Sequence, residues 1–291
     1  MTGAAILLVV LSAFAHSGWN FLTKRARNPE IFTWSAALSA NVILLPVAVY
    51  LLVTSPPDPI GWAFIAGTWS LHLAYFTTLS RAYRDTDLSL AYPLARGTGL
   101  LLIPVLAVFL LGEEMSPPAA VGVALIVTGI FAVSYGNALS GGLPGISALL
   151  RKSGIRYALA TGVIITAYSI VDKRGVAHVS PLLYMYFLTS AASVGMPLFL
   201  RRAFPPADFI AEWRLNLRTI VLTGLLQFAS YALVLTALQV SRVSYVAPFR
   251  EIGIVIGVLM GAVLLDEPFK RGRIAGATLI VVGAVAIAFA P

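Results

Sequence analysis

The feature that most restricts this chain is a succession of ten apolar stretches, each long enough to cross a bilayer, which together take up most of its 291 residues. A helix advances about 1.5 Å per residue and the hydrocarbon layer is about 30 Å thick, so one crossing takes roughly 20 apolar residues. The stretches run approximately over residues 3–22, 31–53, 58–80, 88–111, 117–137, 156–172, 180–200, 218–239, 244–265 and 273–290. At 59% hydrophobic and 11% charged residues, the chain carries far more apolar surface than a soluble core can absorb. An all-α integral membrane protein with ten transmembrane helices is expected. The first stretch has no basic leader and no cleavage site, so it reads as a retained helix. Residues 205–218 mix Phe209 and Trp213 with charges and read as a short amphipathic piece at the membrane surface.

The net charge of +8 forms no continuous patch, which argues against a nucleic-acid partner. Loops 1-2, 3-4, 5-6, 7-8 and 9-10 hold Lys24, Arg25, Arg27, Arg81, Arg84, Arg151, Lys152, Arg156, Arg201, Arg202, Arg214, Arg218, Lys270, Arg271 and Arg273. The other face has only Lys173, Arg174 and Arg242. By the positive-inside rule the odd-to-even loops are cytoplasmic and both termini exterior. The chain has no Cys, which excludes disulfides and thiolate metal sites, and no cofactor or metal is expected.

The halves repeat at a spacing of about 150 residues, and an odd number of spans in each half makes the second enter upside down. Asn20 to Arg25 aligns with Ser169 to Arg174, while Arg96, Gly99 and Glu113 align with Arg250, Gly253 and Glu267. Gly122 and Gly129 in the fifth stretch match Gly276 and Gly283 in the tenth. The expected organisation is a first five-helix repeat over residues 1–138, a Gly/Ser/Pro-rich linker over 139–155 and an inverted repeat over 156–291. Two halves of equivalent shape suit alternating access. A monomer suffices because each half supplies the other's partner, although a homodimer stays open.

Leu111-Gly112-Glu113-Glu114 followed by the Gly122 to Gly129 run, its echo around Leu265-Asp266-Glu267-Pro268, and Gly18-Trp19-Asn20-Phe21 with Lys24 carry a resemblance over essentially the whole chain. The sequence resembles the EamA-type branch of the drug/metabolite transporter superfamily. That resemblance implies a ten-helix inner-membrane carrier, often an exporter of amino acids or related metabolites. It also implies a central cavity lined by helices 1, 3, 4, 6, 8 and 9.

Polar residues inside a bilayer are costly and mark sites to inspect. Arg96 and Arg250 occupy matching places in the fourth and ninth stretches, where they either snorkel or bind an anion. Glu251 reads as the only acid deep in a span, placed to neutralise Arg96 across a cavity or to meet substrate or a proton. Trp69, His72 and Tyr75 follow an i, i+3, i+6 spacing on the third stretch, a stripe that serves packing or a cavity wall. Tyr92 stands one turn before Arg96, and Tyr231 matches Tyr75. Trp19 and Tyr168 are repeat mates, His16 faces either the cavity or the outer interface, and Asn20 bridges helices or lines the cavity. Pro93 and Pro248 are expected to kink their helices near the arginines. Gly253, Gly257 and Gly261 form a small-residue face that reads as a packing surface.

Aromatic walls with charged heads suit a zwitterion, its carboxylate on arginine and its ammonium on ring faces or Glu251. The expected function is alternating-access transport of a small zwitterionic or anionic metabolite, with a proton as candidate coupling ion. Proton-driven export of hydrophobic compounds is the alternative, against which stand two intramembrane arginines and a first helix with no acid, its mate offering only Asp172 at the rim. An intramembrane enzyme would need a paired-acid or His-based constellation that the sequence does not show.

Overall fold

The computed structural model describes residues 1–135, 152–264 and 271–291. The greater part of the 139–155 linker, with Leu265, Asp266, Glu267, Pro268 and Lys270 of the second repeat motif, lies outside the described residues. Eleven helices are described: α1 (Gly3–Lys24), α2 (Pro29–Thr54), α3 (Pro59–Asp85), α4 (Leu88–Leu111), α5 (Pro117–Tyr135), α6 (Ser153–Gly175), α7 (Pro181–Ala203), α8 (Pro206–Val240), α9 (Val243–Phe249), α10 (Ile252–Leu264) and α11 (Arg271–Phe289). Local chemistry sets their starts. Thr2, Asn28 and Asp58 each accept a backbone N–H of the first turn, and Pro opens α2, α3 and α7 where no helical donor is lost. Gly112 ends α4 in the left-handed conformation at φ 66°, which a glycine adopts without steric cost.

Among the described residues, nine spans are long and apolar enough to cross a membrane, with α9 and α10 together making one of them. The tenth, α3, has the length at 27 residues but is less apolar. Part of its polarity faces inward: Thr68 is 1% exposed, whereas Ile60, Leu73 and Phe76 on other faces are more than half exposed. Large apolar side chains lie exposed on most of the other helices too, from Leu7 and Phe14 to Val285, as a lipid-facing surface requires.

Within α8, two helical segments meet at a kink at Asn216 (φ −123°, ψ 16°), so a short piece precedes a separate span close to where the sequence divides them. Asn216 donates to Glu212 at 2.7 Å, and Phe209 packs edge-on against Trp34 of α2, which holds the first segment onto the bundle. Two boundaries differ from the sequence reading. The α6 helix begins at Ser153, inside the stretch assigned to the linker. The ninth span is broken, because a turn at Arg250 and Glu251 separates α9 from α10 just after Pro248. Pro93, by contrast, is accommodated within an uninterrupted α4.

Helix packing follows the correspondence between halves. The broadest contacts join α5 to α11, α1 to α8, α3 to α6 and α4 to α6, followed by α2 against α8 and α7 and α1 against α10. Exchanging α1 with α6, α3 with α8, and α4 with α9–α10 maps α1–α8 onto α3–α6, and α4–α6 onto α1–α10. At the α5–α11 crossing, a Cβ on Gly122 would lie 2.7 Å from Gly283 O, and one on Gly129 the same distance from Gly276 O. The backbones therefore touch in antiparallel register, which only glycine permits. The face expected at Gly253 and Gly257 is looser, with Ala13 Cβ and Ser17 Oγ at 3.6 and 4.0 Å from where a Cβ would stand.

Gly129→Val is therefore expected to pry α5 from α11 and cost about 1–3 kcal/mol, because backbone atoms cannot yield as a flexible side chain does. Gly257→Ala is expected to be neutral or stabilising by up to about 1 kcal/mol. Thermal melting of the two variants in detergent checks the contrast. Equal melting temperatures would contradict the tight crossing.

Candidate functional site

The broken ninth span positions the centre of the site. Its α9 is held at the N-terminus by Glu113, whose carboxylate accepts from Val243 N at 2.8 Å, Ser244 N at 3.0 Å and Ser244 Oγ at 2.5 Å. An acid from the first half thus caps a helix of the second, satisfying donors that no helical carbonyl reaches. The same face explains the three basic residues that depart from the charge bias. Lys173 donates to Leu238 O and Ser241 O, Arg174 to Leu110 O, and Arg242 to Glu114 O. Lys173 and Arg174 hold carbonyls at helix ends and Arg242 holds one in the α4–α5 connection, a structural use of positive charge.

Beyond this end, Arg250 and Glu251 diverge at the turn. Glu251 is 3% exposed and meets Arg96 of α4, Oε1 to Nη2, at 3.5 Å. Arg96 Nε is buried with no hydrogen-bond partner, so the pair is held by charge and not by a bidentate fork. Arg250 goes the other way and sets its guanidinium over the Tyr231 ring, 5.3 Å from the centroid. Among the described residues, no carboxylate lies within ion-pair distance of Arg250.

Aromatic rings complete the cluster. His72 lies against Tyr168 with centroids 4.4 Å apart, and Tyr75 and Tyr231 stand 6.4 and 6.3 Å from His72. Tyr92, Tyr168 and Tyr75 are electrostatic neighbours of Arg96, and His16 of α1 senses both arginines. The structure thus gathers His72, Tyr75, Tyr92, Arg96, Tyr168, Tyr231, Arg250 and Glu251 from both halves. Trp19 sits at the edge, donating to His16 Nδ1 at 3.2 Å. Two residues do not join the cluster. Asn20 is exposed and, among the described residues, bonds the His16 carbonyl of its own helix, and Trp69 is 38% exposed on α3.

Sequence reasoning missed one constellation. Asp172, read as a rim residue, is fully buried, so Glu251 is not the only interior acid. Asp172 Oδ1 accepts from Thr68 Oγ1 at 2.6 Å and from Tyr184 OH at 2.9 Å, while Oδ2 accepts from Tyr231 OH at 2.6 Å. Three hydroxyl donors replace the water this carboxylate gives up. Thr68 also meets His72 Nδ1, through Oγ1 at 3.2 Å and through its carbonyl at 2.9 Å. The one signal in the sequence was the alignment of Asp172 with Thr23, a polar place repeated in both halves.

A polytopic helical bundle whose two halves share one buried cluster of charges and aromatic rings defines a class of multi-pass membrane proteins. The model of the EamA-like transporter family matches residues 3–135 and again 152–289, and the chain belongs to that family. It is similar to two WAT1-related proteins of Arabidopsis thaliana, at 30% identity over 34% of this chain and 28% of the relative, and at 32% over 27% and 22%. The chain therefore spans under a third of the length of these curated relatives. Similarity also extends to the nicotine metabolites export pump subunit NepA of Paenarthrobacter nicotinovorans, at 31% identity over 31% of this chain and 80% of that protein. A solved crystal structure superposes with a TM-score of 0.72 at 20% identity, covering 99% of this chain and 97% of the other, which speaks to the fold alone.

Proposed function

We propose that this protein is a secondary transporter that carries a small zwitterionic or anionic metabolite, an amino acid being the leading class, by alternating access between inverted halves. The observation that carries the reading is the unequal state of the two arginines. Arg96 is already paired with Glu251, whereas Arg250 sits over the Tyr231 ring with no carboxylate in ion-pair distance among the described residues. The half-buried Arg250 guanidinium is therefore open to pair with a substrate carboxylate. Arg250 is thus the carboxylate anchor, while Arg96 holds α4 to the turn before α10. The assignment narrows the sequence expectation that both arginines bind substrate.

Tyr231, Tyr168, Tyr75 and His72 supply ring faces beside the anchor, and Tyr92, Trp19 and His16 close its margin. The match of the family model to each half, the antiparallel α5–α11 crossing and the exchangeable helix neighbours support an inverted arrangement. Such halves can swap conformations about a fixed central site. Exterior termini follow from the charge bias, an inner-membrane location is what the family resemblance implies, and the printed name of the nicotine-metabolite pump subunit favours outward movement. An uncompensated Arg250 disfavours hydrophobic cations, the alternative cargo.

Uptake into proteoliposomes of labelled neutral amino acids, hydrophobic cations and sugar phosphates tests this. Saturable movement of the amino acids is expected, and movement of the cations alone would overturn the assignment.

A further inference from the structure

The orientation of His72 allows a sharper statement about what that site selects. A carbonyl oxygen can only accept, so the 2.9 Å contact of His72 Nδ1 with Thr68 O makes Nδ1 the protonated nitrogen. The second contact agrees with this. Thr68 Oγ1 donates its own proton to Asp172 at 2.6 Å, which leaves its lone pair to accept from Nδ1 at 3.2 Å. Both partners of Nδ1 are acceptors, and behind them stands a fully buried anion. In the neutral ring the opposite nitrogen, Nε2, is then a bare acceptor. Among the described residues it has no hydrogen-bond partner, and it is not one of the sealed polar atoms.

Position gives this acceptor a purpose. His72 and Arg250 flank the same ring, Tyr231, at 6.3 and 5.3 Å from its centroid. A donor to carboxylates and an acceptor for N–H groups thus stand beside one aromatic ring. Tyr231 ties the two together, since its hydroxyl donates to the Asp172 that supports His72 through Thr68.

Resting on the carboxylate role proposed for Arg250, we infer that His72 Nε2 receives the substrate's ammonium, with Asp172 as a positioning residue that acts through Thr68. The site then discriminates between an amino acid and its desamino hydroxy acid. The hydroxyl of the hydroxy acid can also donate to Nε2 but carries no charge, so the amine should be preferred by about tenfold. A bare acceptor at Nε2 offers no donor to a second carboxylate.

Two measurements on the full-length protein test the inference. Nitrogen-15 NMR of histidine-labelled protein, with the His72 signal assigned by its loss in H72F, should show the Nδ1–H tautomer. In proteoliposomes, KM is compared for L-phenylalanine and 3-phenyllactate, and for L-leucine and 2-hydroxyisocaproate. H72F should raise KM for the amine-bearing member of each pair about tenfold more than for its partner. D172N and T68V should move the ratio the same way, while T68S, which keeps the hydroxyl, should restore it. An Nε2–H tautomer, or KM values that rise equally for both members in D172N, would overturn this inference alone. Carriage of neither member by the unmodified protein would overturn it together with the substrate reading on which it rests.

Discussion

Glu251→Ala is expected to lower the apparent melting temperature of the detergent-purified protein by on the order of 10 °C. The side chain it removes is the sole ion-pair partner of Arg96 among the described residues, and both groups are largely withdrawn from solvent, at 15% and 4% side-chain exposure. Breaking such a pair from one side costs about 3–5 kcal/mol, because the surviving charge stays buried with nothing to offset its desolvation. Each kcal/mol corresponds to roughly 2–4 °C in a domain of comparable size. Arg96 has little means of escape, since its Nε is already sealed and unpartnered. The double variant Arg96→Leu, Glu251→Leu is expected to recover most of the loss, because it removes both desolvation costs together. Melting of Glu251→Ala within about 2 °C of the parent, measured by tryptophan fluorescence, would contradict the pair's structural role.

The opposite signature is expected at Arg250. Arg250→Ala leaves no carboxylate stranded, so the fold should persist, with a melting temperature close to the parent's. Substrate affinity should fall by on the order of 100-fold, about 3 kcal/mol, the range for truncating one side of a buried charged contact. Arg250→Lys keeps the charge but loses the planar fork and its stacking on Tyr231, so an intermediate loss is expected. Glu251 and Arg250 are adjacent in sequence and divide the work: the first change weakens the protein, the second empties its site. Scintillation proximity binding with the best-carried amino acid measures the affinities directly. Equal affinity for the parent and Arg250→Ala would remove the anchor from the account.

Most of the architecture was readable because a bilayer forces it into the sequence. Contiguous apolar runs, Pro and Asp at helix starts, and Gly122, Gly129, Gly276 and Gly283 at a matched spacing leave few alternatives. The α3 helix was less visible to hydropathy, because the inward Thr68, His72 and Tyr75 dilute its apolar character. Its aromatic stripe was drawn too wide. At 100° per residue, positions 69 and 75 diverge by about 120°, so Tyr75 reaches the cluster while Trp69 faces out.

Asp172 was hidden for a related reason. Beside Lys173 and Arg174, at the end of its stretch, it read as a rim residue, but successive residues point in different directions. The two cations turn to carbonyls of α8 and α4, and the acid turns inward to three hydroxyls. Those hydroxyls left no trace, since Thr and Tyr do not interrupt an apolar stretch. The Arg96–Glu251 contact could be anticipated because a helix separates neighbouring residues by about 100°, so Glu251 had to look away from Arg250.

The central claim is that the cluster is a carrier site that moves between two faces, and trans-stimulation tests it most directly. Proteoliposomes loaded with a high concentration of unlabelled amino acid are placed in trace label, and the initial rate of label entry is compared with that into empty vesicles. The account predicts faster, saturable entry into loaded vesicles, with the stimulation abolished in Arg250→Ala. Equal entry into loaded and empty vesicles, unaffected by that substitution, would describe a pore or an unrelated leak and would contradict the account.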